Sequence, residues 1–340
     1  MVKHTHWLTA LLVSTALFCL AQQAPEIPKS HGEIPLFQHV FVIVEENENY
    51  EHVIGNTDDL PYLNSLADRY GLATNYFANT HPSINNYFYL TAGRSGTKPP
   101  WIRGLADVYP LDVSGENMAS VLTAEGKSWK AYAEDLPRPG YVGDDKFPYA
   151  KRHNPFAYFE TVRSKVSERA RIVPFQQFKQ DLDNQALPDY SFIVPNLYHD
   201  GHNSLTTRRG SGCGEHQALR QIDDWLKENI RPLVESSTFQ QGGLLIILFD
   251  EACSGKKGDS RLDPTNAAIR GGGRVPAIIV SSRTPPHTRS AVLYHHESVL
   301  RLSLKALGVD RFPGLSDTSP DMYPFFAPSN GSAPSTPGQK

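Results

Sequence analysis

Carboxylates, an amide and a histidine follow three apolar stretches of this 340-residue chain, either directly or within a few residues. In chain order, they are Glu46, Asn47, Asp200, His202, Asp250 and Glu251. Oxygen and nitrogen atoms of these kinds are the ligands that hard divalent cations prefer. One such junction would carry little information. Three of them predict a metal-dependent enzyme.

The apolar stretches 41–44, 190–194 and 244–249 have the continuous hydrophobicity of strands buried on both faces, as in a parallel sheet. In an open α/β sheet, ligands bind just beyond the carboxyl ends of the strands. The polar residues after each stretch are therefore expected to meet at one edge of the sheet. Glu45 precedes the Glu46-Asn47 pair, and we expect it to form a cap or a salt bridge rather than to bind the metal.

A serine at the start of a predicted helix is the candidate nucleophile. Pro82 does not easily continue a preceding helix, and residues 84–92 have a helical pattern that stops at Gly93. Ser83 would then lie at a helix N-terminus, where serine is commonly the N-cap. In the alternative interpretation Ser83 is a nucleophile, with its alkoxide stabilised by the helix dipole and a nearby metal. Local sequence alone favours the cap.

The elements that must position these residues alternate along the chain. Strands are predicted at 38–44, 128–133, 190–194, 243–249 and 275–281, and helices at 62–70, 84–92, 215–234 and 298–307. Such alternation predicts an α/β fold with a mainly parallel central sheet and helices on both faces. The less regular stretches 93–121 and 137–174 are predicted to form a lid above the strand ends.

The two ends of the chain differ in composition from the middle. Residues 1–21 are predicted to be a secretory signal peptide, because a weakly basic start precedes the apolar run 7–20. An uncleaved membrane anchor is the alternative, but the run is short for a span. A polar lead-in is predicted at 22–35, a single folded domain at 36–326 and a disordered tail at 327–340. The mature protein is therefore expected to be secreted or periplasmic.

The net charge and the apolar stretches limit the binding partners expected of this chain, and the cysteines predict a covalent link within it. The formal net charge is −3 and no basic block occurs, so a nucleic-acid partner has no electrostatic support. No stretch after the signal is apolar enough to span a membrane. Export would leave Cys213 and Cys253 in an oxidising compartment, on loops at the same edge of the sheet. We expect a disulfide between them, with two free thiols as the alternative.

A series of motifs gives the chain a family resemblance over about residues 38–308. In order, they are Glu46-Asn47 with Tyr50 and Gly55, His81-Pro82-Ser83 with Asn86-Tyr87, residues 129–134, His153-Asn154-Pro155-Phe156, Pro195-Asn196 with Asp200-Gly201-His202, Phe249-Asp250-Glu251 and His296-Glu297-Ser298. Together they resemble the bacterial phosphoesterase family, which includes secreted acid phosphatases and phospholipases C. The family belongs to the alkaline-phosphatase-like superfamily, so the resemblance implies a three-layer α/β sandwich.

The resemblance also implies a role for each candidate residue. Ser83 would attack phosphorus and form a phospho-enzyme that water then hydrolyses. One or two divalent metal ions would be bound by Glu46, Asn47, Asp250, Glu251 and Asp200. His202 and His296 are expected to be catalytic, in contact with the phosphate or the leaving group. His81 and His153 are weaker candidates for substrate contacts, and so is His295, because the His-x-Ser pattern favours His296 of the adjacent pair.

These expectations combine into a secreted, metal-dependent acid phosphatase that hydrolyses phosphomonoesters. Its substrate would be a small phosphate ester or a phospholipid headgroup. The alternative is a phospholipase C acting on phosphodiesters, although phospholipases of this family tend to be much longer. A catalytically inactive binding module is a third class, and the presence of both Ser83 and Asp250 argues against it.

Overall fold

The computed structural model describes residues 33–96, 113–202, 213–253 and 271–326. Eight strands form one sheet in the order β4-β3-β5-β1-β6-β7-β2-β8. The strands are β1 (His39–Glu45), β2 (Gly71–Ala73), β3 (Trp129–Ala133), β4 (Ile172–Pro174), β5 (Tyr190–Val194), β6 (Gly243–Phe249), β7 (Ala277–Val280) and β8 (Thr288–Ser290). Within the described residues, β7 is the one strand that runs antiparallel to its neighbours, β6 and β2.

The centre of the sheet is formed by the most continuously apolar strands. β1 pairs in parallel with β5 on one side and with β6 on the other, so that Ile43 lies beside both Ile193 and Ile247. Every residue of β5 and β6 is buried, as is every residue of β1 after His39. Burial on both faces explains why these strands show an unbroken apolar run rather than an alternating pattern.

Eleven α-helices accompany the sheet in the described residues. They are α1 (Tyr50–Val53), α2 (Pro61–Arg69), α3 (Ser83–Ala92), α4 (Met118–Ala124), α5 (Glu160–Arg163), α6 (Val166–Arg169), α7 (Gln176–Asp183), α8 (His216–Asn229), α9 (Arg231–Glu235), α10 (Ser237–Gly242) and α11 (His296–Ala306). The single helix predicted over 215–234 is in fact α8 and α9. Pro232 lies in the first turn of α9, where a missing N–H costs nothing, and it cannot continue α8.

Helices pack on both faces of the sheet. Phe41 of β1 contacts Phe178 of α7, with ring centroids 6.2 Å apart. Phe192 of β5 lies beside Val42 and therefore points to the face opposite Phe41. On that face it contacts Tyr87 of α3, again with centroids 6.2 Å apart. The predicted three-layer α/β sandwich is confirmed.

The predicted lid is more ordered than its sequence indicates. The stretch 137–174 contains the 3₁₀ helices Lys151–His153 and Pro155–Ala157, then α5 and α6, and ends in β4. Of the stretch 93–121, residues 97–112 lie outside the described residues, and α4 lies in the described part. The predicted signal peptide and tail also lie outside the described residues, as does most of the lead-in. Among the described helices, none is long and apolar enough to cross a membrane.

Candidate active site

The three predicted junctions meet at the carboxyl edge of the sheet. The Glu46 N–H donates to the carbonyl of Asp200 at 2.7 Å, which ties the end of β1 to the loop after β5. The Asn47 N–H donates to Asp250 Oδ1 at 3.1 Å, which ties the same turn to the residue after β6. Asn47 has a φ of 53°, a left-handed conformation that asparagine tolerates better than most residues. This turn brings the two polar sequences together.

Four buried carboxylates, those of Glu46, Asp200, Asp250 and Glu251, lie at this edge. Burial raises the pKa of Asp250 well above its ordinary value, and the charges of Glu46 and Glu251 add to this effect. Burial likewise raises the pKa of Asp200 to about 6. Burial opposes ionisation of Glu46 too, but His153 outweighs it and lowers the pKa of Glu46 to about 2. The raised pKa values of Asp250 and Asp200 mean that the four carboxylates cannot all ionise with one buried histidine as the compensating group.

His153 is that compensating group, and the 3₁₀ helix Lys151–His153 carries it into the site. Its Nε2 lies 3.0 Å from Glu46 Oε1, and its Nδ1 lies 3.9 Å from Asp200 Oδ2. The ring stacks on Tyr87 of α3, with centroids 5.5 Å apart and an interplanar angle of 6°. The Tyr87 hydroxyl donates to Glu46 Oε1 at 3.3 Å. Tyr87 thus orients both the histidine and the carboxylate.

Ser83 is directed into the carboxylate cluster. It is the first residue of α3, and the N-cap is Pro82. The capping interpretation of Ser83 is therefore wrong, because the helix begins one residue earlier than the sequence pattern indicates. The Ser83 hydroxyl instead donates to Glu46 Oε2 at 3.1 Å. A hydroxyl at the N-terminus of a ten-residue helix and beside the candidate metal ligands has the surroundings of a nucleophile.

The donor set suits a hard divalent cation. No hydrogen-bond donor among the described residues reaches Oδ2 of Asp250, although this atom is buried. A buried oxygen of this kind, surrounded by other carboxylates, is costly unless a cation compensates it. The amide of Asn47 donates to Glu46 Oε2 and so fixes the first predicted pair of ligands. The residues present therefore fit a bound metal ion.

Glu251, another predicted metal ligand, has a neighbour at each of its carboxylate oxygens. Its Oε2 accepts from the amide of Asn86 at 3.1 Å. Its Oε1 lies 2.9 Å from Nδ1 of His81, one of the predicted substrate contacts. His81 therefore lies at the site, next to a carboxylate. Both oxygens of Glu251 have neighbours that hold them in place.

His202 is the most exposed of the candidate residues, with 43% of its side chain accessible. Its Nδ1 lies 3.2 Å from Nδ2 of Asn47 and 4.0 Å from Glu46 Oε2. The backbone N–H of His202 donates to Asp200 Oδ1 at 3.0 Å, which fixes the loop. An exposed imidazole beside the cluster can meet an incoming phosphate and exchange protons with solvent.

The adjacent histidines at the start of α11 contact backbone and core groups. His296 is fully buried, with Nδ1 2.9 Å from the Tyr76 hydroxyl and Nε2 2.6 Å from the carbonyl oxygen of Asp250. His295 is the N-cap of α11, and its Nδ1 lies 2.8 Å from the carbonyl oxygen of Phe77. In this geometry His296 supports the backbone that carries Asp250.

Glu45 departs from its predicted role. It is the last residue of β1 and fully buried, and neither of its carboxylate oxygens has a hydrogen-bond partner within the described parts of the chain. It therefore forms neither the cap nor the salt bridge expected of it, because β1 continues through Glu45 and keeps its side chain inside the sheet layers. Burial raises its pKa well above the ordinary value, and Asp200 and Glu134 add to this shift.

The predicted disulfide between Cys213 and Cys253 is confirmed. The two sulfur atoms lie 3.6 Å and 3.1 Å from the carbonyl oxygen of Asn47. The bond therefore joins the loops at 213 and 253 directly behind the turn that carries two candidate ligands.

Comparison with known proteins finds one family model, that of a phosphoesterase family, and relatives that are phosphatases. Residues 56–309 match the model of the Phosphoesterase family. The chain is 29% identical to a probable acid phosphatase of Kluyveromyces lactis, over 68% of this chain and 52% of that protein. It is 27% identical to a phosphatidylinositol-3-phosphatase of Mycobacterium tuberculosis, over 84% of this chain and 82% of that protein. The chain thus spans about half the length of the yeast relative and most of the mycobacterial one.

Solved structures agree on the fold. A Vibrio parahaemolyticus protein of the alkaline phosphatase superfamily superposes with a TM-score of 0.53 at 14% identity, over 82% of this chain and 68% of that one. At this identity the likeness concerns the architecture alone.

Proposed function

The chain belongs to the phosphoesterase family, and from this premise we propose that it is a secreted, metal-dependent acid phosphatase that hydrolyses phosphomonoesters through a phosphoserine intermediate. The observation that carries the proposal is the Ser83 hydroxyl, 3.1 Å from Glu46 within a cluster of four buried carboxylates. The acid phosphatase and the phosphatidylinositol-3-phosphatase among its relatives support the same class of substrate.

In the proposed reaction, Ser83 Oγ gives up its proton to solvent and attacks phosphorus, an Oγ–P bond forms, and the bond from phosphorus to the leaving oxygen breaks. A divalent cation held by Glu46, Asn47, Asp250 and Glu251, with Asp200 nearby, would lower the pKa of the hydroxyl and neutralise phosphate charge. The N-terminus of α3 adds the favourable end of its dipole to the incoming anion. The oxygen of a water molecule then bonds to phosphorus, the Oγ–P bond breaks, inorganic phosphate leaves, and a proton from the water returns to the serine.

The histidines have separate proposed roles. His202, which is exposed and beside Asn47, would protonate the leaving alkoxide. His153 would hold Glu46 ionised and contact the phosphate, with His81 as a second contact above Glu251. His296 would act through Asp250, whose carbonyl it touches, and His295 through the start of α11. The proposed role of His202 is proton transfer, and the proposed roles of His296 and His295 are to position other groups.

The proposal is tested by the preference between a monoester and a diester. The mature protein is stripped of metal with a chelator, and hydrolysis of p-nitrophenyl phosphate and bis-p-nitrophenyl phosphate is measured while divalent ions are added back. We expect metal-restored cleavage of the monoester at a clearly higher rate. Faster cleavage of the diester would favour the phospholipase C alternative. If no metal restores cleavage of either compound, the enzymatic assignment fails.

Export is a separate part of the proposal and needs its own measurement. The apolar run 7–20 supports removal of residues 1–21, which would leave Gln22 as the first residue. The mass of the protein recovered outside the cytoplasm would show this cleavage directly. Recovery of the full-length chain in the membrane fraction would replace cleavage with the anchor alternative.

A further inference from the structure

A second cluster of metal-ligating groups lies behind Asn47, on the side away from the carboxylates. One ligand atom each from Glu48, His52 and Cys253 lie within 4.8 Å of one another. Cys213 completes the group, because it is bonded to Cys253. None of these four residues belongs to the site described above.

The distances in this cluster are close to those of a tetrahedral zinc site. Zinc bonds of about 2.0–2.3 Å to oxygen, nitrogen and sulfur separate neighbouring donors by roughly 3.3–3.8 Å. Here Cys253 Sγ lies 3.8 Å from Glu48 Oε2 and 4.0 Å from His52 Nδ1. Glu48 Oε2 and His52 Nδ1 are 2.9 Å apart, in a hydrogen bond that a shared cation would replace. Small movements of side chains would therefore bring three donors to bonding distance.

The loop at Gly214 holds these donors in place. Its N–H donates to both carboxylate oxygens of Glu48, at 2.7 Å to Oε1 and 3.0 Å to Oε2, and Oε2 is also the oxygen that lies 3.8 Å from the sulfur of Cys253. A Cβ at position 214 would lie 3.2 Å from His52 Nδ1, tighter than most such contacts, and the φ of +69° also favours glycine. The glycine thus allows the loop to close over the imidazole. His52 keeps 29% of its side chain exposed, which gives an ion a path to the cluster.

The oxidation state of the cysteines decides whether the cluster can bind a metal. A dithiol reductant breaks the Cys213–Cys253 bond by delivering two electrons and two protons, and is itself oxidised to a disulfide. The products are two thiols, whose protons are displaced when a cation binds. The sulfur atoms must then separate to about 3.8 Å, the edge of a zinc tetrahedron.

We propose that the reduced protein contains a second metal site, formed by Glu48, His52, Cys213 and Cys253, which takes Zn²⁺ or a similarly soft divalent ion. Two thiolates, an imidazole and a carboxylate are a donor set typical of zinc. The carboxylate cluster on the other side of Asn47 offers oxygen donors instead. The two sites would therefore select different ions. In the oxidised protein only the carboxylate site remains.

Co²⁺ is the probe that separates the two sites, because thiolate ligands give it a charge-transfer absorption that oxygen ligands do not. The mature protein is reduced with a dithiol, freed of reductant and titrated with Co²⁺. We expect one equivalent to produce the thiolate band, and Zn²⁺ to remove it by displacement. The oxidised protein should give no band.

Three variants make the test specific. Substitution of His52→Ala should weaken Co²⁺ binding more than about tenfold, since it removes a ligand. Substitution of His216→Ala, at an exposed histidine of α8, should leave both band and affinity unchanged. Substitution of Asp250→Asn should keep the band, because the carboxylate site contains no sulfur. A band that is lost with Asp250→Asn or kept in full with His52→Ala would refute the assignment.

Failure of the reduced protein to stay folded is also informative. In that case Zn²⁺ should restore the near-ultraviolet circular dichroism of the reduced wild type, but not that of the His52→Ala variant. Mg²⁺ should restore neither. A reduced protein that stays unfolded in excess Zn²⁺ would show that the cluster does not bind metal. None of these measurements depends on phosphatase activity.

Discussion

Asn47 separates two buried groups of ionisable side chains that are compensated to very different degrees. On one side, Glu46 and Asp200 share one buried histidine, and an oxygen of Asp250 has no donor in the described parts of the chain. On the other side, Glu48 accepts hydrogen bonds from Gly214 and approaches His52 at 2.9 Å. The difference teaches that burial of a carboxylate is not itself the mark of a catalytic group. The candidate site is distinguished instead by several buried carboxylates that lie beside a serine hydroxyl with too few cationic neighbours to compensate them.

The largest expected effect is a loss of turnover on substitution at the carboxylate cluster, where the charges are uncompensated. Substitution of Ser83→Ala should lower kcat by about 10⁴-fold or more, because it removes the proposed nucleophile. Steady-state hydrolysis of p-nitrophenyl phosphate measures the change. Ser237→Ala is the matched control, since Ser237 is also the first residue of a helix but is exposed. Near-normal turnover by the Ser83 variant would remove the serine from the mechanism.

Substitution of Asp250→Asn tests the charge imbalance itself. The variant keeps the Oδ1 acceptor for Asn47 and Glu251 and places an N–H beside Glu46. We expect turnover to fall by about 10³-fold with the loss of a metal ligand. In the presence of a chelator, Tm should rise by about 2–5 °C, because burying Asp250, whose pKa is raised by desolvation and by neighbouring carboxylates, costs the folded state stability that a neutral amide does not cost. A lower Tm in chelator would mean that the cluster is already balanced without metal.

The disulfide provides a test on the other side of Asn47, where the charge of Glu48 is compensated. Replacing both Cys213 and Cys253 with serine should lower the free energy of unfolding by about 4 kcal/mol, from the chain-entropy estimate for a separation of 40 residues. Well below Tm, kcat should stay within about threefold, because neither sulfur touches the carboxylate cluster. Urea unfolding and steady-state kinetics measure the two effects. A large loss of kcat in the folded variant would show that the two sides are coupled.

The pH dependence of stability provides a further contrast in the metal-free protein. The pKa of Asp200 is raised to about 6, so between about pH 4 and pH 6 the folded state binds more protons than the unfolded state. Stability from this group is therefore full at low pH and lost as the pH rises, by up to about 3 kcal/mol. Urea unfolding in chelator should show this decline, and Asp200→Asn should make it shallower by up to about 3 kcal/mol, with the remainder coming from Asp250 and Glu45, whose pKa values are also raised. An unchanged decline in the variant would assign it to another group.

The smallest expected effect concerns Tyr87. Substitution of Tyr87→Phe keeps the stack on His153 but removes the hydroxyl that donates to Glu46. We expect kcat to fall by about tenfold, the value of one hydrogen bond to a charged group. Tyr132→Phe is the control, because that hydroxyl donates to Asp181 in a different part of the structure. Equal activity of the two variants would mean that the His153 stack alone positions the site.

The sequence predicts the central strands well and the edges of the sheet poorly. β5 and β6 have their predicted ends, and the ends of β1, β3 and β7 differ by at most two residues. Continuous apolar runs define β1, β5 and β6. β2, β4 and β8 have three residues each, too few for a period to be visible. Their place in the sheet depends on partners that are distant in sequence, such as the pairing of β2 with β7 and β8.

The candidate site likewise contains some residues that the sequence predicts and others that it does not. The carboxylates after β1 and β6 were predictable, because a strand carries them to a known edge. His153 comes from a stretch with no regular pattern, so only the family resemblance pointed to it. The position of Tyr87 between His153 and Glu46 required the packing of α3 against the 3₁₀ helix. The helical spacing of α3 does not distinguish Tyr87 from an ordinary core aromatic residue.

The helix that begins at Ser83 has one more consequence. Nine of its ten residues are buried, from Ser83 to Phe88 and from Leu90 to Ala92, so it is enclosed on nearly every side. A helix of this kind does not fray separately from the rest of the molecule, because its exposure would open the whole core. In a denaturant titration, catalytic activity and tertiary structure should therefore disappear at the same concentration. The proposed phosphatase turnover would then report global unfolding.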